Sequence, residues 1–189
     1  DLYKLLLGIF LFFNENKGIS AIELCSILDV NYKTALLLES KCRILMSLSN
    51  SDKLLNSLFY EADVFNIGAR SKNKAGRASE QQPILGILST DKENNYPRFI
   101  KLRLITDYTG LSLKKNIEKC CVLSHDALFN TDGEKGFNTL NEEIQVKNEK
   151  ISYEERDHRL LWLNIIIGNI KNNITGIYHG ITKREMPLF

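Results

Sequence analysis

The sequence predicts a mixed α/β fold, with helices at the N-terminus followed by a mixed sheet flanked by helices. Three observations support this. Apolar residues recur at helical spacing from Leu2 to Met46. From Leu58 the period shortens to that of strands, in three successive runs. After these runs helical and strand-like segments alternate, the mark of an α/β rather than an all-α chain.

The elements follow in order. Leu2 to Phe13 has helical apolar density and ends at the breaker cluster Asn14-Glu15-Asn16-Lys17-Gly18. Ser20 reads as an N-cap, and Glu23 three residues on completes a capping box. Leu24, Cys25, Ile27 and Leu28 give this short helix its inner face. Asp29-Val30-Asn31 makes a tight turn, and a longer helix runs from Tyr32 to Met46 with Ala35, Leu38, Cys42 and Leu45 facing in. Helix, three-residue turn and longer helix form a helix-turn-helix pattern, which a plain helical hairpin in a core would also give. Ser47 to Asn56 is polar and reads as a linker.

Leu58 to Phe65, Ile84 to Ser89 and Phe99 to Ile105 are the three strands, with a turn at Asp91 to Tyr96. Leu111 to Cys121 is helical, Ala127 to Asn130 a short strand, and Glu134 to Glu143 a helix. Ile144 to Ile151 is a further strand or an extended arm. Glu154 to Lys171 is a helix, apolar on most sides, and Thr175 to Gly180 a break after it. Three antiparallel-type strands, a helix, a strand and further helices is the ribonuclease H-like order. Two domains are expected: residues 1–47 as a helix-turn-helix segment and 57–189 as the ribonuclease H-like domain.

Composition narrows the class. At 189 residues the chain fits one ordinary domain, or a small module and a compact one, and 43% apolar residues suffice for a core. A net charge of +2 does not by itself announce a nucleic-acid binder. The positive charge is local: Arg70, Lys72, Lys74 and Arg77 lie between Asn66 and Ser79, a stretch without an acidic residue. Cys25, Cys42, Cys120 and Cys121 lack the spacing of a zinc site and fit buried thiols in a reducing cytoplasm. The apolar run Leu5 to Phe13 is too short to span a bilayer and no cleavage site follows it, so neither a membrane span nor a signal peptide is expected. The chain opens inside a helical pattern without an initiator Met, as a fragment would.

Asp63, Asp132, Asn164 and Lys171 form the candidate catalytic set. Asp63 ends the strand-like run from Leu58, and Asp132 follows the short apolar run before Thr131-Asp132-Gly133. Alone, the first is an edge-strand charge and the second a turn residue. In a ribonuclease H-like sheet, however, the first and fourth strands are neighbours. Two carboxylates brought close repel, and one protonates unless a cation intervenes; Mg²⁺ or Mn²⁺ resolves the conflict. In two-metal phosphodiester chemistry one cation activates the attacking water and a second, roughly 3.5–4 Å away, steadies the leaving oxygen. A third oxygen ligand on a nearby helix completes such a site. Asn164 supplies one, and Lys171, two turns on along the same face, can pair a DNA phosphate; without the two aspartates, the plainer reading is a helix-surface amide and a solvated charge. Asn169 is the rival third ligand. His179, beside a turn, is a phosphate contact or a structural histidine.

These residues resemble bacterial insertion-sequence transposases of the DDE type, in the branch where the third acidic residue can be Asn or His and Lys follows. Lys17-Gly18-Ile19-Ser20-Ala21 and Tyr32-Lys33-Thr34-Ala35 resemble the family's helix-turn-helix. Glu61-Ala62-Asp63 with Ile67-Gly68 resembles its first catalytic strand, Arg70 to Arg77 its basic loop, and Pro83-Ile84-Leu85-Gly86 its second strand. Thr131-Asp132-Gly133 resembles the second catalytic aspartate. Trp162-Leu163-Asn164 through Lys171, then Gly176-Ile177-Tyr178-His179-Gly180, resembles the final helix and its exit. Val64 departs from the pattern, since the family often has an acidic residue there. The family's N-terminal zinc ribbon and its helix with an Arg-Phe-Asn motif are not in this chain.

The resemblance implies metal-dependent cleavage and transfer of DNA strands, with Asp63, Asp132 and Asn164 as ligands of Mg²⁺ or Mn²⁺. Asn164 is preferred to Asn169 because its spacing to Lys171 matches the family's. It also implies DNA contacts by Lys33, Thr34, Arg70, Lys72, Lys74, Arg77, Lys171 and His179. The partners would be double-stranded DNA, both terminal inverted repeats and target, and further copies of the chain in a synaptic complex. The site of action would be the bacterial cytoplasm. A non-enzymatic DNA-binding protein, an inactive fragment and a nuclease that cuts without joining are the alternatives.

Overall fold

A computed structural model describes residues 1–15, 18–51, 53–68, 81–91, 96–140, 145–148, 160–178 and 181. The chain divides into two compact units, one drawn from Asp1–Asp52 and Asn169–Phe189, the other from Lys53–Gly168.

In the first unit, α1 (Leu2–Asn14) is opened by Asp1, whose carboxylate accepts the Tyr3 N–H at 3.0 Å. Helix α2 (Ala21–Leu28) has the expected capping box: Ser20 Oγ accepts the Glu23 N–H, and the Glu23 carboxylate accepts the Ser20 N–H at 2.9 Å. Asp29 ends α2 in the left-handed region, at φ 48° and ψ 56°. Asn31 then caps α3 (Tyr32–Ser51), its Oδ1 accepting the Thr34 N–H at 2.8 Å. Ile19, Ala21, Leu24, Leu28, Ala35, Leu38 and Cys42 form the core of this unit.

Three expectations for these helices need correction. Ile27 and Leu45 are exposed, because the inner faces are narrower than their apolar stripes. Helix α3 runs five residues past Met46, through what reads as linker, since nothing from Ser47 to Ser51 is Gly or Pro and extending a formed helix costs little.

The second unit is built on a sheet of five strands: β1 (Phe59–Ile67), β2 (Gln82–Thr90), β3 (Pro97–Leu104), β4 (Leu128–Thr131) and β5 (Gln145–Asn148). Their order is β3-β2-β1-β4-β5. Strands β1, β2 and β3 pair antiparallel, while β4 pairs parallel with both β1 and β5. This is the ribonuclease H-like arrangement anticipated from the order of elements. Helix α4 (Gly110–Glu118) and a 3₁₀ turn (Lys135–Leu140) complete the unit, together with the first turns of α5 (Leu161–Tyr178).

Strand β1 sits in the middle, and its alternation assigns its two faces. Tyr60, Ala62 and Val64 turn to the main core with Phe129, Leu113, Ile117, Phe137 and Leu140. The Tyr60 and Phe129 rings stack with centroids 4.4 Å apart, and the Tyr60 hydroxyl donates to the Leu55 carbonyl at 3.1 Å. Glu61, Asp63 and Phe65 alternate onto the opposite face. There Leu163 of α5 comes down on Gly86, beside Phe65; a Cβ at Gly86 would stand 3.3 Å from each.

Elsewhere the differences are local. The helix expected over Glu134 to Glu143 is the 3₁₀ turn alone among the described residues, in a run holding Gly136, Asn138 and Thr139, all poor helix formers. Helix α4 stops at Glu118, and Cys121 bridges to Leu55. Helix α5 is described from Leu161 and continues to Tyr178, through Thr175 and Gly176, where a break was expected. The Thr175 hydroxyl donates to the Lys171 carbonyl at 2.8 Å, a bond made within the helix. Near its end, in the first unit, the Tyr178 hydroxyl donates to buried Glu39, which also pairs with Arg43, and the Arg43 guanidinium lies 4.6 Å from the Tyr178 ring centroid.

Candidate active site

Asp63 lies on β1, and Asp132 directly follows β4, its parallel neighbour. Strands β1 and β4 pair in parallel from Phe59↔Leu128 to Ala62↔Thr131. Asp63 and Asp132 are the next residue along each strand, Asp132 lying just beyond the end of β4. Asp63 is half-buried, paired across β2 with Gly86, and its Oδ1 accepts the N–H of Val64 at 2.6 Å. Asp132 is exposed just beyond β4; its Oδ1 accepts the Glu134 N–H at 3.3 Å, closing a turn over Gly133 at φ 91°.

Asn164 lies in the first turn of α5, exposed, its N–H donating to the Leu160 carbonyl at 2.8 Å. Leu160 and Leu163 beside it are buried, so that this turn is held against the sheet face that carries Asp63. Asn164 belongs to the same unit as the two aspartates, whereas Asn169 and Lys171 fall in the other. Both are exposed on the same helix. Lys33 and Thr34 are exposed in the first turn of α3, with the Thr34 hydroxyl donating to Asn31 Oδ1 at 2.9 Å. Arg70, Lys72, Lys74, Arg77 and His179 lie outside the described residues.

The role of Glu61 was not legible in the sequence. Glu61 is 3% exposed, and its carboxylate accepts the Leu163 N–H at 2.8 Å. Burial pushes its carboxyl up to about 7, against the opposing effect of that hydrogen bond. Its signal was an acidic residue two positions before Asp63, on the same strand face, inside an otherwise apolar run.

Among the described residues no group of three His, Cys, Asp or Glu side chains stands ready for a metal ion. The candidate donors are two carboxylates and an amide oxygen, hard oxygen ligands of the kind that suit Mg²⁺ or Mn²⁺ rather than zinc. By donor chemistry these residue types suit such a cation. No described helix is long and apolar enough to cross a membrane.

No match is found among curated proteins. A solved structure, a pre-cleavage Mos1 transpososome, contains a chain that aligns with 86% of this one at 11% identity and a TM-score of 0.35. The present chain spans 64% of that chain's length. The family model of the ISXO2-like transposase domain matches residues 58–188, a span that includes Asp63, Asp132, Asn164 and Lys171. With most of its length covered by that match, and the sheet order that the resemblance implied, the chain belongs to the ISXO2-like transposase domain family.

Proposed function

We propose that the protein is a metal-dependent transposase that cleaves and transfers DNA strands at the ends of its own element. The observation that supports this reading is the parallel β1–β4 ladder, which ends at Ala62↔Thr131, one residue before each of Asp63 and Asp132. Ionised, the two aspartates hold Mg²⁺ or Mn²⁺, and the Asn164 amide oxygen adds a neutral third donor. A divalent cation bound there supplies Lewis-acid chemistry: it lowers the pKa of the attacking hydroxyl and stabilises the leaving oxygen.

The rest of the chain orients DNA. Lys171, seven residues beyond Asn164 on α5, pairs a substrate phosphate as a point charge. Lys33 and Thr34, exposed at the start of α3 after a three-residue turn, face the duplex as a helix-turn-helix does. Arg70, Lys72, Lys74, Arg77 and His179 grip backbone, so that binding weakens as salt rises. Inverted repeats at two element ends call for at least two copies of the chain in the working complex.

Asp63→Ala and Asp132→Ala should each abolish Mg²⁺-dependent strand transfer on a labelled duplex while sparing DNA binding in a gel shift. Full activity in both variants would sink the assignment. Nicked but never joined product would instead point to a nuclease.

A further inference from the structure

We propose that Glu61 is a positioning residue: from the central strand it caps the first turn of α5 and so fixes the direction in which Asn164 projects. This rests on the proposed role of Asn164, and it begins from the hydrogen bonds a helix leaves unmade at its start. The Asn164 N–H is satisfied by the carbonyl of Leu160. The Leu163 N–H, one residue earlier, points out of the helix, and a capping side chain from the residue before the helix would ordinarily receive it. Here that residue is Leu160, whose aliphatic, buried side chain cannot accept. The acceptor comes instead from 102 residues away, as Glu61 Oε2 at 2.8 Å.

The bond cannot be replaced cheaply. Glu61 is almost wholly buried, on the face of β1 to which Asp63 also belongs, with Leu163 packed close by over Gly86. An orphaned N–H there would be cut off from solvent. A carboxyl group at this helix start also meets the positive end of the helix dipole. The same strand thus carries one side chain for the proposed ligand set, Asp63, and another that ties down the helix bearing Asn164. Because Asn164 follows Leu163 directly, any drift of this turn is transmitted to its amide. A misplacement of about 1 Å in a reacting assembly can cost on the order of 10²-fold in rate.

The test uses the full chain with Glu61→Gln, which keeps an acceptor oxygen, Glu61→Ala, which removes it, and Glu61→Asp, which draws it back by one methylene. Two readouts are taken: amide hydrogen exchange of residues 161–164 in metal-free protein, and Mg²⁺-dependent strand transfer resolved into maximal rate and half-saturating Mg²⁺. The Gln variant should match the wild type in both. The Ala and Asp variants should exchange the Leu163 amide about five- to tenfold faster, as loss of one hydrogen bond implies. Their maximal rate should fall by up to about 10²-fold, with protection of β1 and β4 unchanged. Should Ala not fold, the Asp variant carries the comparison.

Unaltered exchange at Leu163 in both shortened variants would overturn the proposal. So would a Gln variant as inactive as Ala with wild-type exchange, since charge rather than position would then matter. If the wild type itself transfers no strands, the functional reading fails, and the exchange comparison still decides whether Glu61 holds the turn.

Discussion

Replacing Glu61 by Gln should flatten one part of the pH dependence of stability. Glu61 is 3% exposed, and burial raises its carboxyl from an ordinary 4.5 to about 7. The folded chain therefore holds this proton more tightly than the unfolded chain does. The stability that follows is fully present below about pH 4.5 and is lost as pH rises through about 7. At roughly 1.4 kcal/mol per tenfold change in proton affinity, the loss across that window is about 3 kcal/mol. Glutamine mimics the protonated acid in shape and acceptor and does not titrate. Urea unfolding of metal-free wild type and Glu61→Gln, followed between pH 4 and 8.5, isolates the effect, because all other ionisable groups are shared. The only tryptophan, Trp162, sits in the first turn of α5 with its ring 6.2 Å from that of Tyr96, so its fluorescence reports on this region. The two stabilities should diverge as pH rises, with Glu61→Gln the more stable above pH 7. Parallel curves through the window would refute the reasoning, since Glu61 would then ionise in the folded chain as it does in the unfolded one.

Two further outcomes follow from packing. Arg43→Met leaves the carboxylate of Glu39, 1% exposed, with the Tyr178 hydroxyl but without its ion-pair partner; thermal or urea unfolding should show a loss of about 3–5 kcal/mol, part of which Glu39→Gln restores in the double variant. Gly86→Val sets branches where even a Cβ stands 3.3 Å from Leu163 and Phe65; unfolding followed by Trp162 fluorescence should show a loss of about 1–3 kcal/mol, and wild-type stability would mean that α5 is not held there.

What the sequence made legible was mostly local. The Ser20–Glu23 capping box and the turn at Asp29 could be read because each depends on residues within a few positions. The strands showed through their alternation, and their order through the resemblance to a ribonuclease H-like chain. Less visible was whatever depends on a partner far along the chain. Glu61 reads as an ordinary strand charge until β2 and β4 are seen on either side and Leu163 above it. Ile27 and Leu45 keep the helical period of a buried stripe, but periodicity gives the direction of a face and not its width. At Thr175-Gly176 the sequence shows two helix-weakening residues and hides the hydroxyl bond to Lys171 and the buried Ile174, which hold the helix together. The ligand assignment of Asn164 stayed a matter of spacing to Lys171. The fold adds only that the first turn of α5 is anchored where an amide could serve.

The electrostatics of the proposed site bear on why an amide can stand where a carboxylate is usual. Unit charges about 5 Å apart repel by roughly 3 kcal/mol at an effective dielectric near 20. In the proposed ligand set, Asp63 and Asp132 each follow the last pair of the β1–β4 ladder, and a shared cation would have to offset their like charges. A third carboxylate on α5 would add a further like charge, in a helix turn whose start already takes the buried carboxyl of Glu61 as its cap. A neutral donor avoids that cost and gives up some attraction for the cation in return. The two acidic groups on this face of β1 then divide their tasks by environment. Glu61 is buried and bonded to the Leu163 N–H, whereas Asp63, two residues on along the same face, is half-buried and is the member of the pair proposed as a metal ligand.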